Sequence, residues 1–166
     1  MRTLLIALLV VPLVVASASA APPSGEAGHG IRGWGPRIGL SSNPDQLVVG
    51  AHLDAGRLAP RVRFQPALEL GVGDHATILS VKAPVHYRFP TSGDIRPYLG
   101  GGVSVGFVSV DTGPFRDSHD DDVNFALDVI GGLEWQLRSG NLFSLEMDLM
   151  AGDLADFELM AGWTFR

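Results

Sequence analysis

The sequence predicts an all-β protein folded as a closed, up-and-down, antiparallel transmembrane β-barrel of eight strands. Three observations predict this fold. Apolar residues recur at every second position through eight segments, which is the periodicity of a β-strand. Those positions contain no Asp, Glu, Lys or Arg, although 18% of the chain is charged. The interleaved positions carry Arg, Glu, Asp, His, Gln and Gly, so one face of every strand is expected to meet something more apolar than water.

The N-terminal 20 residues are predicted to be a signal peptide. Arg2 precedes an apolar run from Leu4 to Val15, and 18–20 (Ala-Ser-Ala) fits the small-residue cleavage pattern. That run is too short to span a bilayer as a helix, so removal is expected. Residues 21–33, rich in Pro and Gly, are predicted to be a flexible lead-in, and residues 34–166 to form the barrel.

The charge balance argues against one class of function, and the preference for Arg over Lys indicates where the basic side chains lie. Without the signal peptide the chain has 11 basic and 18 acidic residues, a net charge of −7 with His neutral. This balance argues against nucleic-acid binding, which requires a basic surface. Lys82 is the single lysine among the 11 basic residues, and Arg is preferred where a cation is enclosed and paired. The chain has no Cys, which excludes a disulfide framework.

The eight strands follow in order from the alternation. They are predicted near residues 33–41, 46–55, 62–72, 77–89, 98–110, 123–138, 143–149 and 157–165. Turn residues separate them at 41–45, 73–74, 91–94 and 139–141, and the long break is 111–122. Pro36, Pro66 and Pro84 lack a ladder donor and are expected at bulges.

Alternation alone does not decide which face points inward, because a soluble lipocalin-like barrel would enclose its apolar face. Two features favour a charged lumen and a lipid-facing apolar exterior. Seven glycines share the polar face, as a narrow lumen with a few long side chains requires. Aromatic residues also fall near the two rims, as interfacial girdles do. One rim is predicted to hold Trp34, Tyr87, Phe89, Tyr98, Trp135, Phe143, Trp163 and Phe165, and the other Phe107, Phe125 and Phe157.

Two motifs resemble the small outer-membrane β-barrels of the OmpA/OmpX type. Residues 96–106 (RPYLGGGVSVG) are similar to the Pro-Tyr-x-Gly-x-Gly strand opening of that superfamily, and 161–166 (AGWTFR) resemble its terminal strand signal. The family signal usually ends on an aromatic residue, whereas this chain ends on Arg166. The resemblance implies an outer-membrane location, insertion by the barrel-assembly machinery, periplasmic termini, and outward-facing loops at 41–45, 73–75, 111–122 and 152–156.

With the polar face in the lumen, basic residues of the third and fourth strands oppose acidic residues of the sixth to eighth. We expect cross-lumen ion pairs that plug the barrel, since an unpaired charge in so narrow a space is costly. A weak path for protons or small cations is the alternative. The predicted network comprises Arg61, Arg63, Lys82, Arg88, Asp128, Glu134, Glu146, Asp148 and Glu158.

Other candidate sites are weaker. Residues 118–120 (Ser-His-Asp) contain the residue types of a catalytic triad, but consecutive loop residues seldom converge as a triad does. Clustered carboxylates in the same loop suggest Ca²⁺, but their spacing matches no EF-hand. His52 and His86 are expected to be structural, so no metal or cofactor is predicted. A surface interaction is the remaining hypothesis for this loop, through Phe115, Asp117, His119, Asp120, Asp121 and Asp122.

The sequence therefore predicts a non-catalytic outer-membrane barrel with a structural or surface-interaction role. Two alternatives remain: a soluble secreted or periplasmic lipocalin-like carrier of an apolar ligand, and a lipid-modifying outer-membrane enzyme or narrow pore. No motif identifies a ligand, a surface partner or an oligomeric state.

Overall fold

The computed structural model describes residues 29–73, 76–110 and 121–166, and these form ten β-strands. The strands are β1 (His29–Ser42), β2 (Gln46–Ala59), β3 (Val62–Phe64), β4 (Ala67–Val72), β5 (Ala76–Lys82), β6 (Val85–Arg88), β7 (Ile95–Val110), β8 (Asp121–Gln136), β9 (Leu142–Gly152) and β10 (Phe157–Thr164). Strand β1 starts at His29, so the last five residues of the predicted lead-in belong to the sheet. The predicted signal peptide lies outside the described residues.

The ten strands form the eight walls of a closed barrel. Strands β3 and β4 make one wall, interrupted at 65–66, and β5 and β6 make another, interrupted at 83–84. Pro66 and Pro84 lie at these interruptions, whereas Pro36 lies within β1, opposite Ala51. All pairings are antiparallel, each wall pairs with the next wall along the chain, and β1 pairs with both β2 and β10, which closes the ring. The described residues contain no helix long and apolar enough to cross a bilayer.

The side chains alternate as the sequence predicts, with apolar residues outside and polar residues inside. On β8, Leu127 is 63% exposed while its neighbour Asp128 is 3% exposed. Leu68 and Leu133 also face outward, and Arg63 and Glu134 are buried in the lumen. A lipocalin-like barrel needs the opposite arrangement, so the described lumen does not fit a carrier of apolar ligands.

Two glycines allow close approaches that shape the barrel. A Cβ atom at Gly35 would overlap the backbone carbonyl of Trp163, where β1 and β10 meet at the closing seam. A Cβ atom at Gly132 would overlap the ring of Tyr98, its register partner on β7. Because Gly132 has no side chain, the ring of Tyr98 has room in the lumen.

The barrel has two ends that differ in chemistry. We call the end where β1 begins and β10 ends the terminal mouth, and the end where β1 joins β2 and β9 joins β10 the loop mouth. A small apolar cluster lies inside the loop mouth, formed by Ile78, Ala126, Met150, Leu154 and Ala155. Leu154 and Ala155 belong to the β9–β10 connection, which folds inward over the lumen and is held by hydrogen bonds from Asp153 N to Phe125 O (3.2 Å) and Asp156 N to Ser42 O (3.2 Å).

Candidate functional site in the barrel lumen

Lys82 lies among buried carboxylates near the middle of the lumen. Its Nζ atom is 3.1 Å from an oxygen of Glu69, 3.1 Å from one of Asp148 and 3.0 Å from one of Glu158. Glu69 belongs to the adjacent wall, whereas β9 and β10 carry the other two carboxylates. The ammonium group therefore joins side chains from opposite sides of the ring, and all four side chains are almost fully buried.

Arg37 extends the same network from β1. Its Nε atom is 3.0 Å from Glu69 Oε1, and its Nη2 atom pairs with Glu146. The hydroxyl of Tyr98 donates to the other oxygen of Glu146 at 2.8 Å. Because Glu69 contacts both Arg37 and Lys82, two cations and four carboxylates form one connected central cluster.

A second cluster lies closer to the terminal mouth. Arg63 is 3.3 Å from Asp54 and 2.9 Å from Glu134. Arg88 also contacts Glu134, at 2.5 Å, and Arg166 contacts Asp54 at 3.1 Å. Three arginines therefore share two carboxylates, and this terminal cluster has an excess of positive charge.

Most of the residues predicted for the network come together in these two clusters, with two exceptions. Asp128 accepts a hydrogen bond from Ser104 Oγ (2.6 Å) and has no ion pair within the described part of the chain. Arg61 does not enter the lumen network. It lies exposed in the turn between β2 and β3 with a φ of 68°, because the chain reverses there and strand parity no longer sets the direction of its side chain.

The prediction of the network omitted Arg37, Asp54, Glu69, Tyr98 and Arg166. Strand parity could have found Arg37, Asp54 and Glu69, which lie on polar faces beside residues that were included. Tyr98 was expected at an aromatic rim, but it is 3% exposed and points into the lumen. Its parity matches that of Gly100 and Gly102, so the alternation on β7 indicates the correct side.

Several proteins of known structure share this architecture. No protein-family model and no curated protein matches the chain. Neisserial surface protein A has a TM-score of 0.60 and 17% identity, over 80% of this chain and 93% of that one. The N-terminal β-barrel domain of Pseudomonas aeruginosa OprF has a TM-score of 0.61 and 15% identity, over 82% and 99%. A de novo designed protein, TMB2.3, has a TM-score of 0.51 and 12% identity, over 87% and 98%.

The natural proteins among these neighbours are small outer-membrane β-barrels. This chain has the fold of a small outer-membrane β-barrel. At these identities the likeness concerns the fold alone, and it agrees with the resemblance seen in residues 96–106 and 161–166.

Aromatic side chains surround the outside of the barrel at its terminal mouth. The ring centroids of Trp34 and Phe165 are 5.6 Å apart, and Trp135, Phe143 and Trp163 continue the contacts at 5.7 and 6.1 Å. A further pair, Tyr87 and Phe89, has centroids 5.2 Å apart. Such rings belong at the level of lipid headgroups, where one side of the residue is apolar and the other meets water.

The remaining polar candidates in this barrel make structural contacts. His52 Nε2 is 2.8 Å from Thr164 Oγ1, and His86 stacks on Tyr98 at 4.9 Å. No group of three or more potential metal ligands occurs among the described residues. Within the predicted interaction loop, Phe115, Asp117, Ser118, His119 and Asp120 lie outside the described residues, and Asp121 and Asp122 begin β8.

Proposed function

We propose that this protein is a non-catalytic, integral outer-membrane barrel whose lumen is closed by ion pairs, with a structural or surface-interaction role in the cell envelope. The observation that carries the proposal is the central cluster, in which Arg37 and Lys82 reach carboxylates on other walls of the barrel. Their contacts of 3.0 to 3.1 Å leave no room for water between the paired atoms.

A second barrier, at the loop mouth, supports the proposal that the lumen is closed. Toward the loop mouth, Leu154 and Ala155 are 6% and 8% exposed and pack on Ile78 and Met150 inside the lumen. An apolar constriction of this kind opposes the passage of ions even where the space is wider. The ion pairs and the apolar cluster therefore form two successive barriers along the barrel axis.

The ion pairs of the central cluster are expected to stay formed because each buried charge depends on its partner. Removing one partner of an enclosed ion pair typically costs about 3–5 kcal/mol, since the other charge is left buried and uncompensated. Glu69 contacts both cations of the central cluster, so loss of either one would perturb the whole cluster.

The charge of the terminal mouth also disfavours a path for cations through the lumen, because arginines dominate that mouth.

The proposal extends to location and partners. We propose removal of residues 1–20, insertion by the barrel-assembly machinery, periplasmic termini and an outward-facing loop at 111–122. The side chains Leu40, Leu127 and Leu149, at 61%, 63% and 49% exposure, would contact the hydrocarbon of the bilayer. Phe115, Asp117, His119, Asp120, Asp121 and Asp122 stay the proposed surface-interaction residues.

Planar-bilayer conductance tests the closed lumen. We expect the wild-type protein to show no stable, large conductance. The double variant Arg37→Ala/Glu146→Ala keeps the net charge but removes one cation and one carboxylate from the central cluster, so it should raise the frequency or size of openings. Leu127→Ala, on the lipid-facing exterior, is the matched control and should behave as wild type. A stable, large open channel in the wild-type protein would refute the proposal.

A further inference from the structure

The terminal mouth holds a cavity of about 480 Å³, which no residue of the central cluster lines and which the terminal cluster lines in part. Side chains from β1, β2, β3, β6 and β7 and the C-terminal residue line it. Its volume falls within the range of about 300–1,000 Å³ that small-molecule sites occupy. The apolar side chains of Val62, Phe89 and Pro90 form part of its wall, so the cavity combines polar and apolar surface.

The lining of this cavity is strongly basic. Seven arginines and one aspartate contribute to it, a net side-chain charge of +6, although the side chains of the whole chain sum to −6. Three of the arginines, Arg63, Arg88 and Arg166, belong to the terminal cluster and already contact Asp54 or Glu134. The positive charge of this mouth is therefore much larger than the lumen ion pairs require.

The other four arginines provide donors that no carboxylate of the described residues uses. Within residues 29–73, 76–110 and 121–166, Arg32, Arg57 and Arg61 have no ion-pair partner, and Arg96 donates to a neutral acceptor, Gln136 Oε1, at 2.7 Å. In addition, the Nε atoms of Arg63 and Arg88 are buried without a hydrogen-bond acceptor in the same residues. Guanidinium groups gathered in this way repel one another, and a bound anion would relieve that repulsion.

We propose that the terminal mouth is a binding site for a small molecule that carries phosphate groups. Guanidinium groups match phosphate oxygens with paired, charge-assisted hydrogen bonds, and several of them converge here from five strands. A cavity of this size and net charge suits a ligand with at least two anionic charges and an organic part that packs on Phe89 and Pro90. The inference does not rest on the closed lumen, because none of Arg32, Arg57, Arg61 and Arg96 takes part in the ion pairs that close it.

Isothermal titration calorimetry with pyrophosphate tests the site. The protein is refolded into micelles of an uncharged detergent at low salt, because salt screens exposed charges. We expect saturable binding of one pyrophosphate per barrel, weakened by added salt. The double variant Arg57→Gln/Arg61→Gln should weaken binding by roughly tenfold or more, the scale of one lost charge-assisted hydrogen bond.

The matched control is Arg138→Gln, which removes an exposed arginine from the β8–β9 turn at the same end of the barrel. Arg138 does not line the cavity, so this variant should bind pyrophosphate as the wild type does. Heat-modifiable gel mobility shows whether each variant is folded. Absence of pyrophosphate binding by folded wild-type protein, or equal binding by Arg57→Gln/Arg61→Gln, would overturn the inference.

A second arm separates a soluble phosphorylated compound from the phosphate of a lipid headgroup. Pyrophosphate binding is compared in phosphatidylcholine nanodiscs, in discs that also contain phosphatidic acid, and in discs given the same surface charge by a fatty acid. If phosphatidic acid lowers the apparent affinity more than the fatty acid does, the headgroup occupies the site. Equal affinity in the two charged discs assigns the site to a soluble phosphate compound.

Discussion

Replacing Lys82 by Met should strongly destabilise the barrel. The Lys82 side chain is 3% exposed, and its Nζ atom contacts three carboxylates at 3.0 to 3.1 Å. Methionine keeps most of the length of the side chain but removes the charge together with the three N–H donors of the ammonium group. The central cluster would change from two cations and four carboxylates to one cation, Arg37, and four carboxylates.

The size of the effect follows from this count. Breaking one enclosed ion pair costs about 3–5 kcal/mol, and here three contacts are lost together, so we expect a loss near the upper end, about 4–5 kcal/mol. Urea unfolding in lipid vesicles, followed by the fluorescence of the three Trp residues, measures the change in free energy. Because Glu158 loses its cation in this variant, adding Glu158→Gln should recover about 1–2 kcal/mol.

Arg138→Met makes the same kind of change at an exposed turn and should alter stability by no more than about 0.5 kcal/mol. If Lys82→Met falls within that same small range, the lumen does not enclose Lys82 away from water. If Glu158→Gln brings no recovery in the Lys82→Met background, the pairing of these two residues is wrong.

Two further predictions concern the outside of the barrel and its closing seam. Leu127→Arg places a charge on the lipid face near the middle of β8 and should cost about 2–4 kcal/mol in vesicle unfolding, whereas Leu127→Ala should insert normally; equal stability of the two would contradict a lipid contact. Gly35→Ala places a Cβ atom against a backbone carbonyl of β10, so the folded fraction on heat-modifiable gels should fall sharply. Gly131→Ala has open space around its Cβ atom and should fold as wild type, and equal yields for both variants would refute the seam geometry.

The sequence alone predicted the class of fold and, within the strands, the side of the sheet on which most side chains lie. A period of two is a local property of an extended chain, so the apolar alternation along β2 or β8 is readable without any partner strand. The absence of charge on every apolar face predicted that this face meets something more apolar than water, and the glycines of the polar face and the aromatic rims favoured lipid over an enclosed core. Pro36, Pro66 and Pro84 were all expected at bulges because they lack a ladder N–H group; the strands are interrupted at Pro66 and Pro84, whereas Pro36 is paired within β1.

The tertiary structure alone decided which charges meet. Arg37 and Glu146 are separated by 109 positions, and their contact depends on the register of the ladders and the closure of the ring, which alternation does not encode. The same closure gathers arginines from residue 32 to residue 166 at one mouth, although they are scattered along the chain. The β9–β10 connection, which folds over the lumen, places Leu154 inside the opposite mouth. Parity places a side chain inside a barrel, but its depth and its partner across the lumen are properties of the assembled cylinder.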